Sequence, residues 1–138
     1  IPMTQTGCMF YERMGTHEFE GIALDLEERE RLVADFGPDN HTMLLYNHGL
    51  IVSGPTVAHA FTRLYHFEDN AGIQLKAMAA VAGGARLKRL APKVLAHTRD
   101  QFESGDSRAG AEVLLPEWPA FLRLLDREYP GWREPVPG

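Results

Sequence analysis

Long apolar runs are missing from this sequence. No stretch approaches the roughly 18 to 20 residues that a membrane-spanning helix needs, so no helical span is expected. Cysteine is nearly missing as well. The single Cys8 excludes a disulfide within the chain and suits a reducing, cytoplasmic compartment. Basic charge is in short supply. Lys and Arg total 14 against 19 Asp and Glu, a formal net charge of −5. That balance argues against a nucleic-acid binder. An initiator methionine is missing too: the chain opens Ile1-Pro2-Met3, without the charged and apolar regions of a signal peptide. It reads as a chain that starts partway through something longer.

What is present is ordinary for a globular protein. Hydrophobic residues make up 44% and charged residues 24%, near the average for folded domains. A length of 138 residues corresponds to about one domain, able to bury about two-thirds of its unfolded surface.

The first twenty residues fit no single period. Met9, Phe10, Tyr11 and Met14 are apolar there, and both a bent strand and a short helix remain open. The next segment is clearer. Asp25 and Glu28 stand at capping-box spacing, and Leu26, Leu32, Val33 and Phe36 mark an apolar side. Gly37-Pro38 supplies a stop, which predicts a helix over about 26–36. Thr42–Tyr46 and Leu50–Val52 are short apolar runs, expected as strands buried on both faces. Asn47-His48-Gly49 between them suits a hairpin turn, because Asn and Gly accept positive φ cheaply.

Gly54-Pro55 is expected to open the longest helix, with Pro in the first turn. Its apolar positions step by three and four residues from Val57 to Met78, and Gly83-Gly84 ends it. A further helix is expected from Leu87 or Pro92 to Phe102, followed by a polar loop over 104–110. A last helix is expected over Trp118–Glu128, with Phe121, Leu122, Leu124 and Leu125 inward. The pattern implies a mixed α/β layer structure with few strands for its helices. Two visible strands do not make a self-sufficient sheet, again suggesting that part of a domain lies elsewhere.

The chemistry-bearing residues are sparse. None of the six histidines forms an H-E-x-x-H or His-x-His pattern. His59 and His66 read as a solvated stripe with Arg63, and His41 and His97 as surface residues. His48 differs, since a turn between two buried strands holds a side chain rigidly at the mouth of a sheet. Imidazole is the commonest metal ligand among side chains, although turn chemistry alone also explains Asn47-His48-Gly49. Ser53-Gly54 makes no nucleophile elbow, and the glycine pairs lack the Lys-Ser/Thr of a phosphate loop. Cys8 reads as a small buried hydrophobe. Glu18, Glu20 and Asp25 are read as surface acids, and Glu68 as a half-buried partner for Arg63.

Several stretches resemble the class II aldolase/adducin family. They are Glu20–Asp25, Glu28–Asp35 and Leu44-Leu45-Tyr46-Asn47-His48-Gly49-Leu50, followed by Val52, Gly54, Thr56-Val57 and Ala60-Phe61. Pro2–Thr6 resembles the family's proline-led middle segment. Glu68 and Gln74 fall where members often carry Glu and Gln. Glu117–Ala120, Leu122, Leu125-Asp126 and Pro130-Gly131 resemble the tail of adducin-like bacterial members.

The resemblance implies a three-layer α/β/α domain, assembled as a homotetramer. It also implies a divalent metal, typically zinc, held by three histidines, of which the His-Gly turn supplies one. That position is His48. The paired histidines of an earlier His-x-His, an acid/base glutamate and a phosphate-binding region precede it in the family and are not in this chain. Residues 1–138 are therefore expected to be the C-terminal part of one such domain. The implied activity is that of a metal-dependent lyase. It cleaves or forms a C–C bond in a small hydroxy-carbonyl substrate through a metal-stabilised enediolate. Decarboxylation or epimerisation would use the same chemistry. The alternative is an adducin-like module that works by assembly rather than catalysis, because fold does not fix function. No role is expected for Lys76, Lys88 or Lys93, and none is assigned to Tyr11.

Overall fold

The computed structural model describes residues 2–21, 26–108 and 117–134, with 105–108 described by backbone alone. A short 3-10 helix, Thr6–Phe10, leads into strand β1, Met14–His17. Helix α1 spans Leu26–Phe36 and is followed by β2, Thr42–Leu45, and β3, Gly49–Val52. Three helices complete the chain: α2 over Val57–Ala82, α3 over Pro92–Arg108 and α4 over Trp118–Glu128.

The three strands form one sheet in the order β1-β2-β3. β1 and β2 run parallel, with His17 opposite Leu45. β2 and β3 are antiparallel, with Leu45 opposite Gly49. A parallel pair needs a crossover, which α1 supplies. The architecture is α/β, as the patterning implies.

The opening segment resolves into both of the alternatives left open, one after the other. β1 alternates exposed and buried positions, placing Gly15 and His17 inward. Met14 faces out, so apolar residues alone could not reveal this strand. α1 matches the expected range. Its capping box cannot be followed, because Asp25 lies outside the described residues. Leu32, Val33 and Phe36 line an open apolar pocket with Met43 and Ile51 of the sheet, and Leu26 and Val33 are exposed. β2 is buried in its first half, whereas β3 alternates and is not buried on both faces. It is an edge strand of this sheet, which leaves Ile51 partly open.

α2 begins at Val57, not at Pro55. Thr56 caps it from an extended conformation, its hydroxyl accepting from the His59 amide. α3 starts at Pro92 and runs through Ser104-Gly105 to Arg108. A single glycine costs a helix only about 1 kcal/mol, too little to stop it. α4 has the expected bounds, with Leu124 exposed. Phe61 and Tyr65 of α2 meet Phe121 of α4 edge-to-face, at centroid separations of 5.1 and 4.9 Å.

Little of the molecule is deeply buried. Cys8, Met43 and Leu95 are the buried hydrophobic side chains among the described residues. The accessible surface is 10001 Å², against roughly 7,200 Å² expected of a compact monomer of this mass. The C-terminal half of α2 contributes to that excess, with Leu75, Met78 and Val81 exposed.

Candidate functional site

β1 and β2 end together at His17 and Leu45, and the connection after β2 turns there. The His48 amide donates to the Leu45 carbonyl at 3.1 Å, closing a tight turn. Asn47 takes the left-handed conformation at φ 55°, which Asn tolerates better than most residues. The Tyr46 amide donates to the His17 carbonyl at 3.0 Å and ties the turn to β1. His48 is held on this framework with its side chain exposed. The carboxyl ends of parallel strands are where open α/β sheets bind ligands.

A pocket opens beside the turn. Its lining includes His17, Glu18, Glu20, Glu28, Tyr46 and His48. His17 is 5% exposed. Its Nδ1 lies 2.7 Å from the Asp35 carboxylate, and its Nε2 lies 4.0 Å from Glu28 Oε1. That distance is beyond hydrogen-bond range, and Nε2 has no hydrogen-bond partner among the described residues. Glu20 is taken up by Arg31, whose Nε donates to both its oxygens at 3.0 and 3.1 Å. The hydrogen bond from Arg31 lowers the Glu20 carboxyl below its ordinary value and raises Arg31 in turn.

The remaining expected residues are scattered. His59 is buried rather than solvated, its Nδ1 2.8 Å from the Thr56 hydroxyl. His66 is half-buried, with Nε2 3.7 Å from Glu117. The two therefore serve helix capping and packing instead of forming an exposed stripe. His41 is also no surface residue. Its Nε2 is 3.1 Å from the Met9 carbonyl and its Nδ1 2.9 Å from the Thr42 hydroxyl. Burial, reinforced by the Arg63 charge, pushes its pKa down to about 4. His97 is exposed, as expected. Cys8 is buried, and burial raises its thiol pKa. Glu68 is exposed rather than half-buried, while Arg63 donates to the Ser53 carbonyl at 2.6 Å. Lys76, Lys88 and Lys93 are exposed, and Tyr11 is half-buried.

Sequence reasoning singles out His48 and passes over His17, which lines the same pocket. No local pattern marks His17, because its strand turns Gly15 and His17 inward and Met14 outward. Among the described residues, no three His, Cys, Asp or Glu side chains converge as a metal site. His48 can supply one ligand, but the residues present do not fit a metal by themselves. No helix among the described residues is long and apolar enough to cross a membrane.

Known proteins are similar to this chain in sequence and fold. The profile of the family described as the class II aldolase and adducin N-terminal domain matches residues 1–75. A Pseudomonas aeruginosa protein provisionally named a class 2 aldolase is 34% identical over 97% of this chain and 50% of its own length. The crystal structure of an aldolase II superfamily protein from Pseudomonas syringae superposes with a TM-score of 0.76 at 38% identity. That match covers 92% of this chain and 48% of the other. L-fuculose 1-phosphate aldolase from Glaciozyma antarctica shares the fold, with a TM-score of 0.67 at 22% identity over 93% of this chain and 45% of its own. The chain spans about half the length of the curated relatives it matches first. With its Asn-His-Gly turn at the mouth of an α/β sheet, the chain belongs to the class II aldolase and adducin family.

Proposed function

We propose that residues 1–138 are the C-terminal part of a single class II aldolase/adducin-like domain. In this reading the whole protein is a metal-dependent lyase. Its substrate is a small hydroxy-carbonyl compound, such as a sugar or sugar phosphate, and C–C cleavage or formation is the reaction. His48 is one ligand of a divalent metal, taken to be zinc. The other ligands lie outside this chain, in keeping with the three protein ligands a catalytic zinc requires. Such a metal supplies Lewis-acid stabilisation to a carbonyl oxygen. A cytoplasmic homotetramer acting on a small molecule is part of the same proposal.

The observation that carries this reading is the placement of His48. Its turn is fixed by the left-handed Asn47 and by the Tyr46–His17 backbone hydrogen bond. A side chain carried on such a turn, at the carboxyl ends of parallel strands, stands where open α/β sheets bind ligands. The test is metal analysis of the intact protein. Wild type is expected to hold about one divalent ion per subunit and His48→Ala to hold several-fold less. Equal occupancy would remove the ligand assignment.

A second reading, an adducin-like module that works by assembly, is favoured by the exposed apolar face of α2. Leu75, Met78 and Val81 stand open there. An intact protein that binds no divalent metal yet forms a stable oligomer would favour this reading.

A further inference from the structure

The geometry points to His17 and Glu28 as a hydroxyl-binding pair in the pocket beside His48, a subsite for one hydroxyl of the hydroxy-carbonyl substrate. This inference rests on the substrate class proposed above. It assigns work to two residues that the reading so far leaves idle.

Burial and orphaning come together at one atom. His17 is 5% exposed, and its Nε2 has no hydrogen-bond partner among the described residues. Buried polar side-chain atoms nearly always find a partner, so an orphaned one calls for an explanation. Asp35 holds the other ring nitrogen at 2.7 Å and fixes the ring plane. That arrangement resembles the way functional histidines are generally oriented through their second nitrogen. The ring is therefore presented, not free to turn.

Glu28 completes the pair. It sits in the first turn of α1, is itself buried, and places Oε1 4.0 Å from His17 Nε2. The gap is too wide for a direct hydrogen bond, but one oxygen about 2.8 Å from each atom closes it. A hydroxyl fits the two partners: it accepts from an imidazole N–H and donates to a carboxylate. Both side chains line the pocket that His48 also lines. Nε2 is shut off from bulk water, so an incoming oxygen reaches it when Glu28 shifts aside. Glu20 is a poorer candidate in the same pocket, because Arg31 already occupies its carboxylate.

The test uses the intact protein with histidines labelled in nitrogen-15, freed of metal by a chelator and titrated with dihydroxyacetone. The ring nitrogens of His17 are expected to shift on addition. His17→Gln and Glu28→Gln are each expected to weaken dihydroxyacetone binding at least tenfold, and Asp35→Asn to weaken it less. His48→Ala is expected to lose metal while keeping the His17 response. Binding of equal strength in wild type, His17→Gln and Glu28→Gln would overturn the subsite, as would no binding in wild type. Metal occupancy is read on the same variants. Loss of occupancy only in His48→Ala, with an unresponsive His17, would sink this inference and leave the metal assignment standing. A responsive His17 in a protein that holds no divalent ion as isolated, before any chelator, would do the reverse.

Discussion

Gly15 of β1 lies directly against the backbone carbonyl of Asp35, near the end of α1, so closely that a Cβ would overlap it. That contact sets how near α1 comes to β1, and with it the reach of the Asp35 side chain to His17. The obstructing atom is backbone, which cannot swing away as a flexible side chain would. Gly15→Ala is therefore expected to destabilise the intact protein by roughly 1–3 kcal/mol, the usual range for overpacking. Urea unfolding checks it, and an unchanged midpoint would show that α1 moves freely on the sheet.

The turn that carries His48 makes a second prediction. Asn47 at φ 55° occupies a region that costs most side chains roughly 1–2 kcal/mol. Asn47→Ala is expected to lose about 1 kcal/mol, whereas Asn47→Gly stays near wild type because Gly enters this region freely. Denaturation midpoints of the two variants decide the matter. The ordering Ala below Gly is the diagnostic, and equal losses would mean that the side chain of Asn47, not its backbone, is what counts.

The sequence exposes the strongly periodic parts of this fold and hides the ones that depend on context. α1 and α4 fall where their spacing places them, because a helix shows itself in local pattern. The β2–β3 hairpin was legible from two apolar runs and an Asn-Gly-type turn. β1 was not, since its inward residues are Gly15 and His17 and its outward residue is Met14, the reverse of the usual signal. His17 was hidden for the same reason. Its partners are 11 and 18 residues away on a helix, a relation that only the packing of α1 on the sheet creates. The helical path through Ser104-Gly105 is hidden because Ser-Gly is a turn signal, whereas a single glycine costs a helix too little to stop it. Leu26 and Val33 lie exposed on α1, where periodicity marks an apolar side without saying what covers it.

His41 predicts a pH dependence. Its pKa is held at about 4 in the folded protein, while the unfolded chain binds the proton near 6.5. A histidine kept neutral by folding stabilises the native state above the unfolded value. That contribution is lost as pH falls from about 6.5 to about 4, where the native ring finally takes up the proton. Roughly 3 kcal/mol is at stake across that window. His41→Gln removes the titration. The stability advantage of wild type over the variant is thus expected to shrink between pH 7 and pH 4.5. Parallel pH profiles for the two proteins in urea unfolding would show that His41 ionises as easily in the folded chain as in water.

Thr62 supplies the last test. It is 4% exposed in the second turn of α2, and its hydroxyl oxygen has no hydrogen-bond partner among the described residues. A buried hydroxyl without a partner costs about 1–3 kcal/mol of desolvation that nothing returns. Valine has nearly the same shape and no hydroxyl. Both are β-branched, so the loss of side-chain freedom in the helix is closely matched. Thr62→Val is therefore expected to leave the protein as stable as wild type or to stabilise it by about 1 kcal/mol. Thr62→Ala, which removes a methyl as well and opens a small void, is expected to lose stability. Thermal unfolding of the pair separates the two effects. A destabilising Val substitution would mean that the hydroxyl is bonded in the intact protein to a group outside the described residues.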